Sequence, residues 1–74
     1  MSINENDIEI VHISGQYKHP WGVTFDNPYV LYELGRPVVV EPKLEDIMVL
    51  LPFNLREAYS LGRKSIRLEP SNAA

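Results

Sequence analysis

His12 and His19 are the residues of this sequence whose chemistry most directly raises the question of a metal site. A zinc site needs three or four converging nitrogen, sulfur or carboxylate ligands. The chain has no cysteine, and its two histidines lie in different predicted elements with only Glu9 and Asp26 as possible helpers. We therefore interpret both as ordinary strand and loop residues, and we predict no metal and no cofactor.

The residue patterns also argue against catalysis. No serine or threonine lies in a nucleophile signature such as G-x-S-x-G, and the glycines match neither of the spacings that cradle phosphates. Glu45 and Asp46 are adjacent carboxylates, but their place at a predicted helix start explains them without any reaction. A chain of 74 residues has little room for a water-excluding pocket beside a core. We predict no catalytic residue.

The positive charge is concentrated near the carboxyl end. Residues 1–50 hold eight acids and three bases (−5), and residues 51–74 hold two acids and four bases (+2), which gives the net −3. Those four bases are Arg56, Arg63, Lys64 and Arg67. Nucleic-acid binding through phosphates needs several cations on one face, and Glu57 and Glu69 dilute this patch. Direct binding of nucleic acid is therefore the alternative; the unlike halves also suit an oppositely charged protein partner.

The stretch GQYKHPWGVTF, residues 15–25, is predicted to be a long hairpin loop between two strands. It contributes four candidate partner-binding residues, and a fifth follows later in the chain: Tyr17, Lys18, His19, Trp21 and Arg36. Aromatic residues and arginine are enriched at interface hot spots. Taken singly, each tyrosine or tryptophan is better explained by packing at the edge of the core. The chain as a whole, however, has four tyrosines, two phenylalanines and one tryptophan, more aromatic rings than so small a core needs. We therefore predict that the loop and the basic patch contact a larger protein.

The first predicted element is a strand over residues 7–14. Ile8 and Ile10 share one face of it, whereas Val11 and Ile13 share the other. Either this strand is buried on both faces toward its end, or a β-bulge lies near its centre.

The segment 27–35 allows two interpretations. Asn27 and Pro28 are typical of a helix start and Gly35 of a helix end, although the alternation between them also fits a strand. We predict a helix of about two turns. The valine run of RPVVVEP, which follows, predicts a short strand covered on both faces.

Two helices are predicted at about 43–51 and 55–61. The first has four apolar residues at the spacing of one helix face: Leu44, Ile47, Met48 and Leu51. Asn54 and Glu57 resemble a capping box for the second helix, and Gly62 resembles its stop signal. SIRLE then predicts a last strand with one exposed face, and residues 1–6 and 70–74 are predicted to be flexible tails.

These elements predict an α+β fold in one domain, residues 1–74, with a 3–4 stranded, mostly antiparallel sheet and one or two helices packed on one face. The lack of cysteine, of a signal peptide and of a long apolar run predicts a cytoplasmic protein without membrane contact. We expect a non-catalytic regulatory module, an adaptor or inhibitor of a larger protein complex. Phage- and plasmid-type regulators that act on host transcription machinery are of this size. A structural or cement subunit that self-associates is a further alternative.

Overall fold

A computed structural model describes residues 5–19 and 22–71. In chain order its elements are a 3-10 turn (Glu5–Asp7), β1 (Ile8–Ser14), β2 (Gln16–Lys18), β3 (Thr24–Asp26), β4 (Tyr29–Glu33), β5 (Arg36–Glu41), α1 (Leu44–Met48), α2 (Phe53–Ser60) and β6 (Arg67–Pro70). Four strands form one sheet in the order β5-β4-β1-β6, and β2 and β3 form a separate hairpin. β1 is antiparallel to β4 and parallel to β6, while β4 is antiparallel to β5. The predicted α+β fold with a mostly antiparallel sheet is confirmed.

β1 is buried on both of its faces, as the first of the two sequence interpretations predicts. The adjacent residues Ile10 and Val11 point to opposite faces of the sheet, and both are 0% exposed. The pairing of β1 with β4 runs without a register shift, so β1 contains no bulge against that strand. The sheet is therefore the middle layer of the fold.

Each face of the sheet carries its own apolar cluster. The helix-side cluster brings β1 and β4 against the helices through Ile8, Ile10, Leu31, Ile47, Leu51 and Leu55. On the other face, Tyr17 of β2 packs against Val11, Ile13 and Val30, which we call the hairpin-side cluster. A fully buried Ile or Leu side chain contributes about 1.5–3 kcal/mol to folding, so both clusters matter to a chain of this size.

Residues 27–35 form β4 and a tight turn, so the predicted helix is wrong. Asn27 has a positive φ of 51° and does not cap a helix; its Oδ1 accepts a hydrogen bond from the N–H of Gly15 at 2.7 Å. Leu34 and Gly35 both have positive φ, 53° and 79°, as in the type I′ turns that join antiparallel strands. The residues that resemble helix caps therefore serve the two ends of a strand.

β5 is an edge strand, and the predicted cover on both faces is present only toward its end, where Val39 packs against the helix-side cluster and Val40 against the hairpin-side cluster. Its pairing with β4 shifts between Leu31 and Tyr32, a bulge that leaves Val38 without a partner residue in β4 and 51% exposed. Pro37 suits this position because an edge strand does not need every backbone N–H. The bulge and the proline both hinder a further strand from pairing here.

The two helices occupy the predicted parts of the chain and pack on one face of the sheet. The capping box predicted at Asn54 is wrong, because α2 begins two residues earlier, at Phe53, with Pro52 at its N-cap and no side-chain cap hydrogen bond. The stop predicted at Gly62 is confirmed by its N–H donating to the carbonyl of Tyr59 at 3.3 Å, part of a Schellman ending. Neither helix of the described residues has the length and apolar character needed to cross a membrane.

The chain ends differ from prediction in their details. β6 begins at Arg67, and Leu68 is exposed, whereas Ile66 precedes the strand and packs against the helix-side cluster. Residues 5–7 form the 3-10 turn, Pro70 belongs to β6, and the N–H of Ser71 donates to the carbonyl of Ser14 at 2.9 Å. The rest of the predicted tails, 1–4 and 72–74, lies outside the described residues.

Candidate functional site

The predicted recognition loop is a hairpin of its own, formed by β2 and β3. Near its tip the N–H of His19 donates to the carbonyl of Val23 at 2.8 Å. Tyr17 is half-buried against the hairpin-side cluster, Lys18 is exposed and His19 is half-buried. Trp21, the fourth loop residue predicted to bind a partner, lies outside the described residues.

His12 makes two structural contacts, one through a face of its ring and one through a ring nitrogen. It stacks on Tyr29 of β4 with the ring centroids 4.2 Å apart. Its Nε2 lies 3.1 Å from the carbonyl oxygen of Asn27, and since a carbonyl only accepts, Nε2 carries the proton and donates. Across residues 5–19 and 22–71, no group of three or more His, Asp or Glu residues is placed to hold a metal ion. His12 thus ties β1 to the start of β4.

Arg67 lies on the hairpin side of the sheet, between two carboxylates. Its Nε is 3.3 Å from Oε1 of Glu9 and its Nη2 is 3.4 Å from Oε2 of Glu69. Burial raises the pKa of the neighbouring Tyr32, and the charges of Tyr17 and Glu69 raise it further, while Arg67 lowers it. Arg67 is therefore engaged with acids on the sheet and does not extend the positive surface of the helices.

Arg36 and Arg63 are exposed at two turns of the chain. Arg36 follows the β4–β5 turn and faces Glu33 in the strand register. Arg63 lies in the turn after α2, where its N–H donates to the carbonyl of Ala58 at 2.9 Å. The basic residues that are close in the sequence are thus distributed over both faces of the sheet.

Arg56 and Lys64 both line a groove between α1 and α2. One end has a volume of about 550 Å³ and is lined by Lys43, Leu44, Glu45, Met48, Val49 and Arg56. The other end has a volume of about 450 Å³, and its walls include Leu44, Met48, Tyr59, Lys64 and Ile66. Since Leu44 and Met48 line both ends, we treat them as one feature, the helix groove.

The floor of the helix groove is apolar. Leu44 and Met48 are half-buried, packed against the helix-side cluster below and open to the groove above. The apolar surface extends to Val49, which lines the groove and is 69% exposed, and the next residue of the α1–α2 connection, Leu50, is 57% exposed. Methionine adapts to partners of different shape because its side chain is flexible and polarisable.

The rim of the helix groove is positively charged. Lys43, Arg56 and Lys64 line it, with Glu45 as the carboxylate among the lining residues. In the part of the chain that the structure describes, Lys43 and Arg56 form no ion pair. Lys64 places its Nζ 5.9 Å from the ring centroid of Tyr59, within the range of a cation–π contact.

Tyr59 forms one wall of the groove and also holds α2 to the sheet. Its hydroxyl accepts a hydrogen bond from the N–H of Ile10 at 3.0 Å. Burial raises the pKa of Tyr59, against the lowering effect of the hydrogen bond from Ile10. The hydroxyl is therefore held in its neutral form as a structural acceptor.

Sequence reasoning identified Arg56 and Lys64 but missed the rest of the groove, because the stripe of α1 was interpreted entirely as core. The sequence feature that could have predicted the groove is the apolar run from Ile47 to Phe53. The two short helices, joined by residues 49–52, each bury one face, so a continuous apolar run across them leaves some apolar side chains exposed.

Comparison with known proteins found no family model that matches the chain, and no curated protein or solved structure with significant similarity to it. The chemistry of the site therefore has to be argued from its geometry. An open apolar groove with a cationic rim is suited to non-covalent binding.

Proposed function

We propose that this chain is a non-catalytic protein-binding module that regulates a larger protein or complex as an adaptor or inhibitor. The observation that carries the proposal is the helix groove, with Leu44 and Met48 at its floor and Val49 exposed beside them. Contiguous exposed apolar surface on a small protein is typical of an interaction site.

The energetics favour a macromolecular partner over a small molecule. The groove is open, and the exposed apolar residues Val49 and Leu50 lie in the α1–α2 connection. A small ligand in the groove would leave that connection in water, whereas a protein segment can cover both. Covering apolar surface contributes about 25 cal/mol per Å² before the costs of association.

The sheet edges offer weaker docking sites than the groove. On β5 the bulge at Val38 and the position of Pro37 interrupt the row of backbone groups that an added strand would need. On the other edge, β6 is short and ends at Pro70. Both features hinder β-addition, which favours the groove as the binding surface.

Nucleic acid is the competing partner, and the cations of the groove rim are the observation in its favour. Arg67, however, is paired with Glu9 and Glu69 on the other side of the sheet. The groove floor is also apolar, which favours a protein segment over a phosphate backbone.

The test is affinity capture from cells that naturally express the chain, with Val49→Asp as the disrupting variant. Val23→Asp is the matched control, because Val23 is also exposed but lies in the β2–β3 hairpin. We expect wild type and Val23→Asp to capture the same protein and Val49→Asp to lose it, with unchanged circular dichroism. Capture of transcription machinery would support the more specific hypothesis that the chain regulates transcription. Equal capture by all three chains, or no capture by wild type, would contradict the proposed function.

A further inference from the structure

We infer that the helix groove selects an acidic, amphipathic helix of the partner protein. This inference rests on the proposed function and adds to it the conformation and charge of the bound segment.

The partner segment has to satisfy its own backbone hydrogen bonds. The floor of the groove consists of the side chains of Leu44 and Met48, and the residues that line it belong to helices and loops, so it presents no strand edge with which an extended segment could pair. An extended segment laid across this floor would leave buried N–H and C=O groups without partners, which costs free energy for each of them. A helix carries no such cost because its backbone is internally bonded, and its apolar stripe can cover the floor.

The rim determines the charge of the partner. Lys43, just before α1, and Arg56 of α2 line one end of the groove, Lys64 lines the other end, and Glu45 is the carboxylate among the described lining residues. The chain as a whole has a net charge of −3, so this local excess of positive charge runs against the total. Acidic residues flanking an apolar stripe would complement the rim, whereas basic residues would be repelled.

The sequence expected of the partner segment follows from these two steps. Apolar residues recur at i, i+3, i+4 and i+7, so that one face meets Leu44 and Met48. Glu or Asp residues flank that face at positions that reach Lys43 and Arg56. Each exposed charge pair contributes little, so selectivity comes from the sum over the rim.

The experiment uses two synthetic helical peptides with the same leucine face, one with glutamates and one with lysines at the flanking positions. Met48 lines both ends of the groove, so its ε-methyl signal in NMR, assigned with a Met48→Leu variant, reports occupancy. We expect the glutamate peptide to shift the Met48 signal with an affinity about tenfold above that of the lysine peptide. This preference should fall between about 50 mM and about 500 mM salt, because rim charges are screened.

Variants identify the source of the preference. Lys43→Glu with Arg56→Glu should abolish or reverse it, and neither change harms a helix dipole, since Lys43 directly precedes α1 and Arg56 lies near the start of α2. Lys18→Glu with Arg36→Glu makes the same change of charge at exposed sites outside the groove and should leave the preference intact.

The outcomes separate the inference from the proposed function. Equal shifts of Met48 with both peptides would overturn the charge selectivity and leave a protein-binding groove standing. No shift with either peptide, a shift produced by duplex DNA, or a shift that depends on the concentration of the chain alone would overturn the inference in favour of another occupant. If Val49→Asp still captures the natural partner, the proposed function fails even where the glutamate peptide binds.

Discussion

At the scale of single residues, Tyr59 links the core to the groove. The pairing of β1 with β6 begins at Val11, so the amide of Ile10 lies just before the start of that ladder. The hydroxyl of Tyr59 accepts from this amide at 3.0 Å, and its ring forms a wall of the groove beside Lys64. One side chain thus completes the hydrogen bonding of the sheet and shapes the proposed binding surface.

Removal of this hydroxyl should destabilise the fold. Ile10 is fully buried, so Tyr59→Phe leaves its N–H without an acceptor, which costs about 1–3 kcal/mol. Urea denaturation measures the loss. Tyr32→Phe is the control, because Tyr32 is also half-buried in the sheet, and we expect it to change the free energy of unfolding by less than about 0.5 kcal/mol. Equal losses in the two variants would contradict the role assigned to the hydrogen bond.

The same hydroxyl predicts a pH dependence. Burial raises the pKa of Tyr59 in the folded state above the ordinary tyrosine value of about 10. Its contribution to stability is therefore fully present below about pH 10 and decreases as the pH rises above that value, because the unfolded chain loses the phenolic proton first. The difference in free energy of unfolding between wild type and Tyr59→Phe should shrink from pH 8.5 to about pH 11. A constant difference across that range would show that Tyr59 titrates alike in both states.

At the scale of elements, the success of sequence reasoning follows the strength of the local pattern. The apolar stripe at residues 44–51 has the period of a helix, so α1 is found, although it ends at Met48 and Leu51 lies in the connection that follows. Residues 27–35 give no such pattern, because an asparagine and a glycine flank strands as readily as helices. Only the pairing of β4 with β1 and β5, which depends on distant residues, decides between the two.

Leu34 offers a test at this scale, since it is 71% exposed and holds a positive φ of 53° in the β4–β5 turn. Left-handed backbone is strained for leucine and well tolerated by asparagine, which also precedes glycine in the preferred form of this turn. Leu34→Asn should raise the free energy of unfolding by about 0.5–1 kcal/mol in urea denaturation. Leu61→Asn, at a similarly exposed leucine with a negative φ of −89°, should give no such gain. A loss of stability in Leu34→Asn would contradict this account of the turn.

At the scale of the whole molecule, exposure decides which predicted residues form a site. Local sequence showed that Arg56 and Lys64 are cations but not that they border one groove, since that depends on how α2 crosses α1. Val49 and Phe53 belong to an apolar run in the sequence, and only the packed fold shows that their side chains are exposed. Tyr17, which its residue type favours as a partner contact, packs against the core.

The position of β1 between two clusters predicts that the described fold unfolds as one unit. Ile10 belongs to the helix-side cluster and Ile13 to the hairpin-side cluster, three residues apart on one strand. Ile10→Val and Ile13→Val should each lower stability by about 0.5–1.5 kcal/mol. Because loss of β1 removes a wall from both clusters, each variant should lower the urea midpoint equally at methyl signals of Leu55 and of Val30, which report the two sides. A lower midpoint at Val30 alone in Ile13→Val would show that the hairpin side unfolds separately. The helix-side cluster would then hold the groove together without the hairpin-side cluster.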